Sequence, residues 1–197
     1  MRLFRESIQT IIMAVLIFLL MQTSFQSFRV QGASMLPNLE NKQYLMINKA
    51  VYLHVRMGEA ARYVPFLDRL GEVIYLFHPP RRGEVVVFHP PLNSQDDYIK
   101  RIIGLPGETI AIKDGKVYID DKPLDEPFIE DAPRYTMTAR KVPEGHFFVL
   151  GDNRNLSSDS HNWGPVPYQS MVGKFWISLW PLPPSLASSY PSQAREG

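Results

Sequence analysis

Residues Ile8 to Phe25 read I-Q-T-I-I-M-A-V-L-I-F-L-L-M-Q-T-S-F, an unbroken run without charge, glycine or proline. At about 1.5 Å per residue a helix of this length nearly crosses the hydrocarbon core of a bilayer. The run therefore predicts a membrane segment, with residues 1–7 before it and the rest of the chain on one side of it. Its apolar heart, Ile11 to Met21, is short enough to be a cleaved secretory signal. Against that reading, a cut after Ala33 would place Gln31 where a small residue is wanted and would trim the chain up to Ser34. A retained anchor over 8–25 is the better expectation. Arg2 and Arg5 precede it and only Arg29 follows closely, which puts the N-terminus on the cytoplasmic side and the remainder on the exported side.

Beyond the anchor the pattern changes from helix to short strands. Prolines number 17, paired at 79–80, 90–91 and 183–184, and they disfavour long helices there. Strands are predicted at Phe28–Gly32, Tyr44–Ile47, Gly83–Phe88, Tyr98–Ile103, Val142–Leu150 and Gly173–Leu179. Ile110–Lys113 and Lys116–Ile119 flank Asp114-Gly115, whose tolerance of positive φ suits a two-residue hairpin turn. The expected domain is mainly β over 26–180, with an irregular insertion at 53–80 and a disordered Pro- and Ser-rich tail at 181–197. With 21 Lys+Arg against 20 Asp+Glu and no basic run, nucleic acid is not an expected partner. The chain has no cysteine, so a covalent nucleophile must be a hydroxyl, an amine or a carboxylate. His54, His78, His89 and His146 lack metal-ligand spacing, and neither a metal nor a cofactor is expected.

Three segments bear chemistry. Ser34 follows the small residues Gly32-Ala33 and precedes Met35-Leu36-Pro37, a setting that lets an extended backbone approach a hydroxyl. In Tyr98-Ile99-Lys100-Arg101-Ile102-Ile103, alternation puts Lys100 on one face with Tyr98 and Ile102. Burial there disfavours the ammonium, which is what turns a lysine into a base. The loop from Gly151 to His161 is dense in Asn, Asp and Ser, residue types that serve both function and local turns. A Ser-His-Asp triad through His161 and Asp159 is disfavoured, because nothing brings a nucleophile to His161.

These segments, in order, resemble the type I signal peptidases, membrane-anchored Ser-Lys endopeptidases. Ser34-Met35-Leu36-Pro37 resembles the nucleophile box, and Tyr98-Ile99-Lys100-Arg101 with Gly104-Leu105-Pro106-Gly107-Glu108 resembles the lysine box. Gly151-Asp152-Asn153-Arg154 through Ser157, Asp159 and Ser160 resembles the third box, and Arg82–Phe88 an intervening strand box. The resemblance covers about residues 8 to 180. It implies an antiparallel β catalytic domain like that of signal peptidases and SOS repressors, and cleavage of exported preproteins after Ala-x-Ala. Ser34 would be nucleophile and backbone oxyanion donor, Lys100 the general base, and Ser157 the group orienting Lys100. Arg101, Asp152 and Asp159 would support these, and Val30, Met35, Tyr98 and Ile99 would shape pockets for small side chains. The implied partners are signal-peptide-bearing preproteins and membrane lipid, close to the export translocon, in a cell or thylakoid-type membrane. With nine steps from Phe25 to Ser34, the nucleophile stays within roughly 30 Å of the bilayer.

Three departures accompany the resemblance. Gly32 lacks the hydroxyl that some members use as a second oxyanion donor, Asn38 replaces a threonine, and His161 replaces an arginine. Two other readings compete: a self-cleaving regulator, which an N-terminal anchor in place of a DNA-binding helix pair disfavours, and an idle membrane-tethered β domain that binds exported chains without cutting them.

Overall fold

The structure is a computed structural model that describes residues 2–56, 73–75, 77–92, 94 and 96–180. An exposed helix, α1, runs from Arg2 to Ser24, and its segment Phe4–Ser24 has a mean hydropathy of 1.8. It is long and apolar enough to cross a membrane.

The helix passes directly into strand β1, Phe25–Arg29. Strands β2 (Tyr44–Asn48), β5 (Val85–Phe88), β6 (Tyr98–Gly104), β11 (His146–Leu150), β12 (Val166–Pro167) and β13 (Met171–Trp180) join β1 in a seven-stranded sheet of order β1-β2-β13-β5-β6-β11-β12. All its pairings are antiparallel. A four-stranded sheet, β10-β7-β8-β9, is built from Thr109–Lys113 (β7), Lys116–Ile119 (β8), Lys122–Pro123 (β9) and Met137–Lys141 (β10). Its β7–β8 hairpin turns at Asp114 and Gly115, with φ of 51° and 71°, the positive values that the Asp-Gly pair predicted.

The core reflects these two sheets. Central β5 is buried at every position: Val86 and Phe88 pack with Ile102, Phe147 and Val149, while Val85 and Val87 pack with Val30, Met35, Leu45 and Ile47. A strand buried on both faces reads as a continuous apolar run, which V-V-V-F is. A third cluster, including Ile103, Ile110, Ile112, Phe148 and Leu150, joins the small sheet to β6 and β11.

Several boundaries differ from expectation. The first strand begins at Phe25 and not Phe28, because the helix ends without a linker. The stretch predicted as one strand over Val142–Leu150 begins only at His146, since Pro143 and Gly145 place a turn before it. Strand β10 was not foreseen: Met137 is its single buried residue, so it carries no alternating pattern. Within the expected irregular insertion, β3 (His54–Arg56) and β4 (Val73–Tyr75) pair as an antiparallel ribbon. The intervening residues 57–72, and the expected tail at 181–197, lie outside the described residues.

Candidate active site

Ser34 lies in the turn after β1, and Lys100 lies in β6 with Val86 as its cross-strand partner. The Lys100 Nζ donates to Ser34 Oγ at 2.7 Å and to the Ile99 carbonyl at 2.9 Å. Lys100 is only 4% exposed. Burial lowers its pKa to about 8 from 10.5, against the opposing attraction of Asp159 and Asp152 for the ammonium. A short hydroxyl–amine contact and an amine that sheds its proton near neutrality are what general-base activation of a serine requires.

The surrounding residues fix this pair from three directions. Arg101, next to Lys100, forms a fork on Asp152, with Nε to Oδ1 at 2.7 Å and an Nη to Oδ2 at 2.6 Å, and donates to the Gly83 carbonyl at 2.7 Å. Its guanidinium lies 4.3 Å from the Phe128 ring centroid. Asn38 Nδ2 donates to Asp152 Oδ2 at 2.8 Å and to the Phe128 carbonyl at 2.7 Å, tying the serine turn to the same carboxylate. The Asn153 N–H donates to the Ser34 carbonyl at 3.0 Å. Asp159, fully buried, accepts from the Gly151 N–H at 3.0 Å and from His161.

Gly151 is where the serine turn and the polar loop touch. A Cβ there would sit 2.5 Å from the Ser34 carbonyl oxygen and 2.3 Å from Ser157 Oγ, closer than atoms can approach. Gly151→Ala is therefore expected to push the Ser34 turn away from the loop. Hydrolysis should fall at least about 100-fold, since misplacement by about 1 Å suffices for that. Steady-state kinetics, with circular dichroism to check the fold, measures it.

Ser34, Lys100, Arg101, Asp152 and Asp159 are thus gathered as the sequence predicted. Two expectations are corrected. Ser157 Oγ, expected to orient Lys100, is buried with no hydrogen-bond partner among the described residues, and the Lys100 amine donates to the Ile99 carbonyl. Met35, expected at a pocket, is 1% exposed and packs in the core with Val30, Leu45 and Val87, outside the lining of the cleft beside Ser34. Val30, Tyr98 and Ile99 do line a cleft of about 640 Å³, together with Ser34, Lys100 and residues of β1 such as Phe28. The sequence reading missed Gln26 and Phe28 as wall residues, since their place depends on how β1 docks. It also missed Phe128, whose aromatic ring in a polar loop was the available signal. Gly32 has φ of 91°, and its N–H is taken by Asn41 Oδ1 at 3.1 Å.

Residues 4–180 match the family described as signal peptidase, peptidase S26. The chain belongs to that family. Among curated relatives, the signal peptidase I of Leptolyngbya laminosa is 38% identical over 185 residues, covering 90% of this chain and 80% of the relative. A probable signal peptidase I-1 of Synechocystis sp. is 36% identical over 185 residues, with 90% and 83% covered. Thylakoidal processing peptidase 1 of Arabidopsis thaliana is 38% identical over 132 residues, 59% of this chain and 39% of its own length. This S26 peptidase is accordingly a serine hydrolase, and its mainly β architecture after one apolar helix is the fold class the motifs implied.

Proposed function

We propose that this signal peptidase is a Ser-Lys endopeptidase, seated in the membrane, that cuts exported preproteins after small residues. The observation that carries the reading is the 2.7 Å contact between a buried Lys100 amine and the Ser34 hydroxyl. Neutral Lys100 takes the Ser34 proton as Oγ attacks the scissile carbonyl. The negative oxygen that forms is stabilised by the Ser34 N–H. The tetrahedral species collapses as the Lys100 ammonium protonates the leaving amine, which departs as the mature chain. Lys100 then deprotonates a water that hydrolyses the Ser34 ester and releases the signal peptide.

Strand pairing supports an extended substrate. β6 pairs with β5 through Tyr98–Lys100, but its contact with β11 begins only at Arg101, leaving the other backbone edge at Tyr98–Lys100 open to a peptide. Val30, Tyr98 and Ile99 line the cleft beside Ser34, where they would meet the side chains that precede the cut. The membrane seat is supported by α1 and by an exposed apolar group at its foot, where Trp176 stacks on Phe25 at 4.8 Å beside exposed Ile177. Aromatic rings of this kind favour the headgroup region, so lipid is a proposed partner.

The test uses the full chain in detergent micelles with a preprotein ending its signal in Ala-x-Ala. A single cut after the second alanine is expected, identified by product mass, with loss of cutting when that alanine becomes leucine. Because Lys100 works as a base only when neutral, kcat/KM should rise about tenfold per pH unit below about 8 and level off above it. Indifference to the leucine substitution, or a flat profile between pH 6 and 10, would reject the assignment.

A further inference from the structure

We propose that His161 is a positioning residue for the Ser34–Lys100 pair, acting through the Asp159 carboxylate so that the imidazole's charge governs how readily Lys100 releases its proton. The proposal rests on reading Lys100 as the base.

The geometry forms a relay. His161 Nδ1 lies 2.6 Å from Asp159 Oδ1, and the other oxygen, Oδ2, accepts from the Gly151 N–H. Asp159 also caps the helical turn Ser160–Trp163 by accepting from the His161 N–H at 3.2 Å, so ring and carboxylate are held on one tight element. From the other side, Tyr135 stacks on the imidazole at 4.0 Å with an interplanar angle of 17°. Asp159 has no exposure, whereas the His161 side chain keeps 16%, enough for the ring to exchange protons with solvent.

A carboxylate only accepts, so the proton between the two groups sits on Nδ1, and Nε2 is left facing away from Asp159. His161 therefore gains or loses its charge without breaking its bond to Asp159. Asp159 is the foremost charge attracting the Lys100 ammonium. A cationic imidazole offsets that carboxylate and lets Lys100 shed its proton at lower pH. A neutral imidazole leaves the full negative charge to hold the proton on. The other charges around the relay are fixed pairs: Arg154 with Glu126, both felt at Tyr135, and Arg101 with Asp152.

The experiment compares pH profiles of kcat/KM for the wild-type chain, His161→Arg and His161→Gln in detergent. Arginine supplies a permanent cation that also stacks on an aromatic ring, and glutamine a neutral donor. The acidic limb of His161→Arg should lie about half a pH unit or more below that of His161→Gln. Loss of fold would lower the curves without moving the limb. Three coincident limbs, each lost in Lys100→Met, would overturn the role of His161 while leaving Lys100 as base. An active Lys100→Met enzyme would remove the base assignment, and this proposal with it. A second measurement avoids His161 variants: by reciprocity, removing the Lys100 ammonium should raise the midpoint of the His161 ring titration seen by NMR in Lys100→Met. An unmoved midpoint would also overturn the proposal.

Discussion

Ser34→Ala and Lys100→Met are each expected to lower kcat/KM for a preprotein by about 10⁴-fold or more, and the double variant should be no worse than either alone. On the proposed mechanism Nζ and Oγ, 2.7 Å apart, act as one unit: without the base the hydroxyl would not attack, and without the hydroxyl the base would have nothing to activate. Single-turnover cleavage measures the loss. Independent defects that multiply in the double variant would exclude a joint role. The two substitutions should part company in stability. Holding Lys100 with its pKa lowered to about 8 costs on the order of 3 kcal/mol. Because the folded-state value lies below the unfolded one, that cost is fully present below about pH 8 and fades as pH rises towards 10.5. Lys100→Met should thus be more stable than the parent at pH 7, by an amount that shrinks through that window, whereas Ser34→Ala should be nearly neutral. Denaturant melts at pH 7 and pH 10 measure the difference.

Glu126→Ala should be among the most destabilising single changes outside the core. The Arg154 side chain has no solvent exposure and that of Glu126 has 5%, and the guanidinium meets both carboxylate oxygens, one of them at 2.9 Å. With Glu126 gone, the Gly151 carbonyl, at 3.2 Å, would be its remaining hydrogen-bond acceptor. Leaving a buried charge without its partner costs about 3–5 kcal/mol, which lowers Tm by about 10 °C for a chain of this size. Catalysis should suffer too, since Arg154 grips the backbone of Gly151, against which the Ser34 carbonyl rests. Replacing both partners by apolar residues, Glu126→Leu with Arg154→Met, should recover much of the stability. A double variant as unstable as Glu126→Ala would show that the pair acts through something other than uncompensated charge.

What could be read ahead of the structure depended on whether a residue's role is local. The Asp114-Gly115 turn, the buried run of β5 and the burial of Lys100 follow from neighbours in sequence. Arg101 and Asp152, 51 positions apart, were named together only through family resemblance, and the structure joins them in a fork. Details set by packing escaped. Met35 is apolar and adjacent to Ser34, yet only tertiary structure decides that it points into the core while Val30 borders the cleft. Ser157 has the right chemistry for Lys100, but whether its hydroxyl reaches a partner is set by how the loop packs against Gly151 and not by local sequence. β10 carries one buried residue in five, so no pattern announces it.

The absence of any linker between α1 and β1 gives the cleft a fixed gauge. The residue after Ser24 is already paired with β2, and the same short strand forms a wall of the cleft. A strand advances about 3.3 Å per residue and turns its side chains over with each step, so inserting one residue there would both lift the hydroxyl and face Phe28 the wrong way. On the proposed membrane seat, adaptation to a thicker or thinner bilayer would thereby be confined to the helix. There a residue would add only about 1.5 Å and tilt would absorb the difference, so the height of the cutting point would stay fixed while the helix length changes.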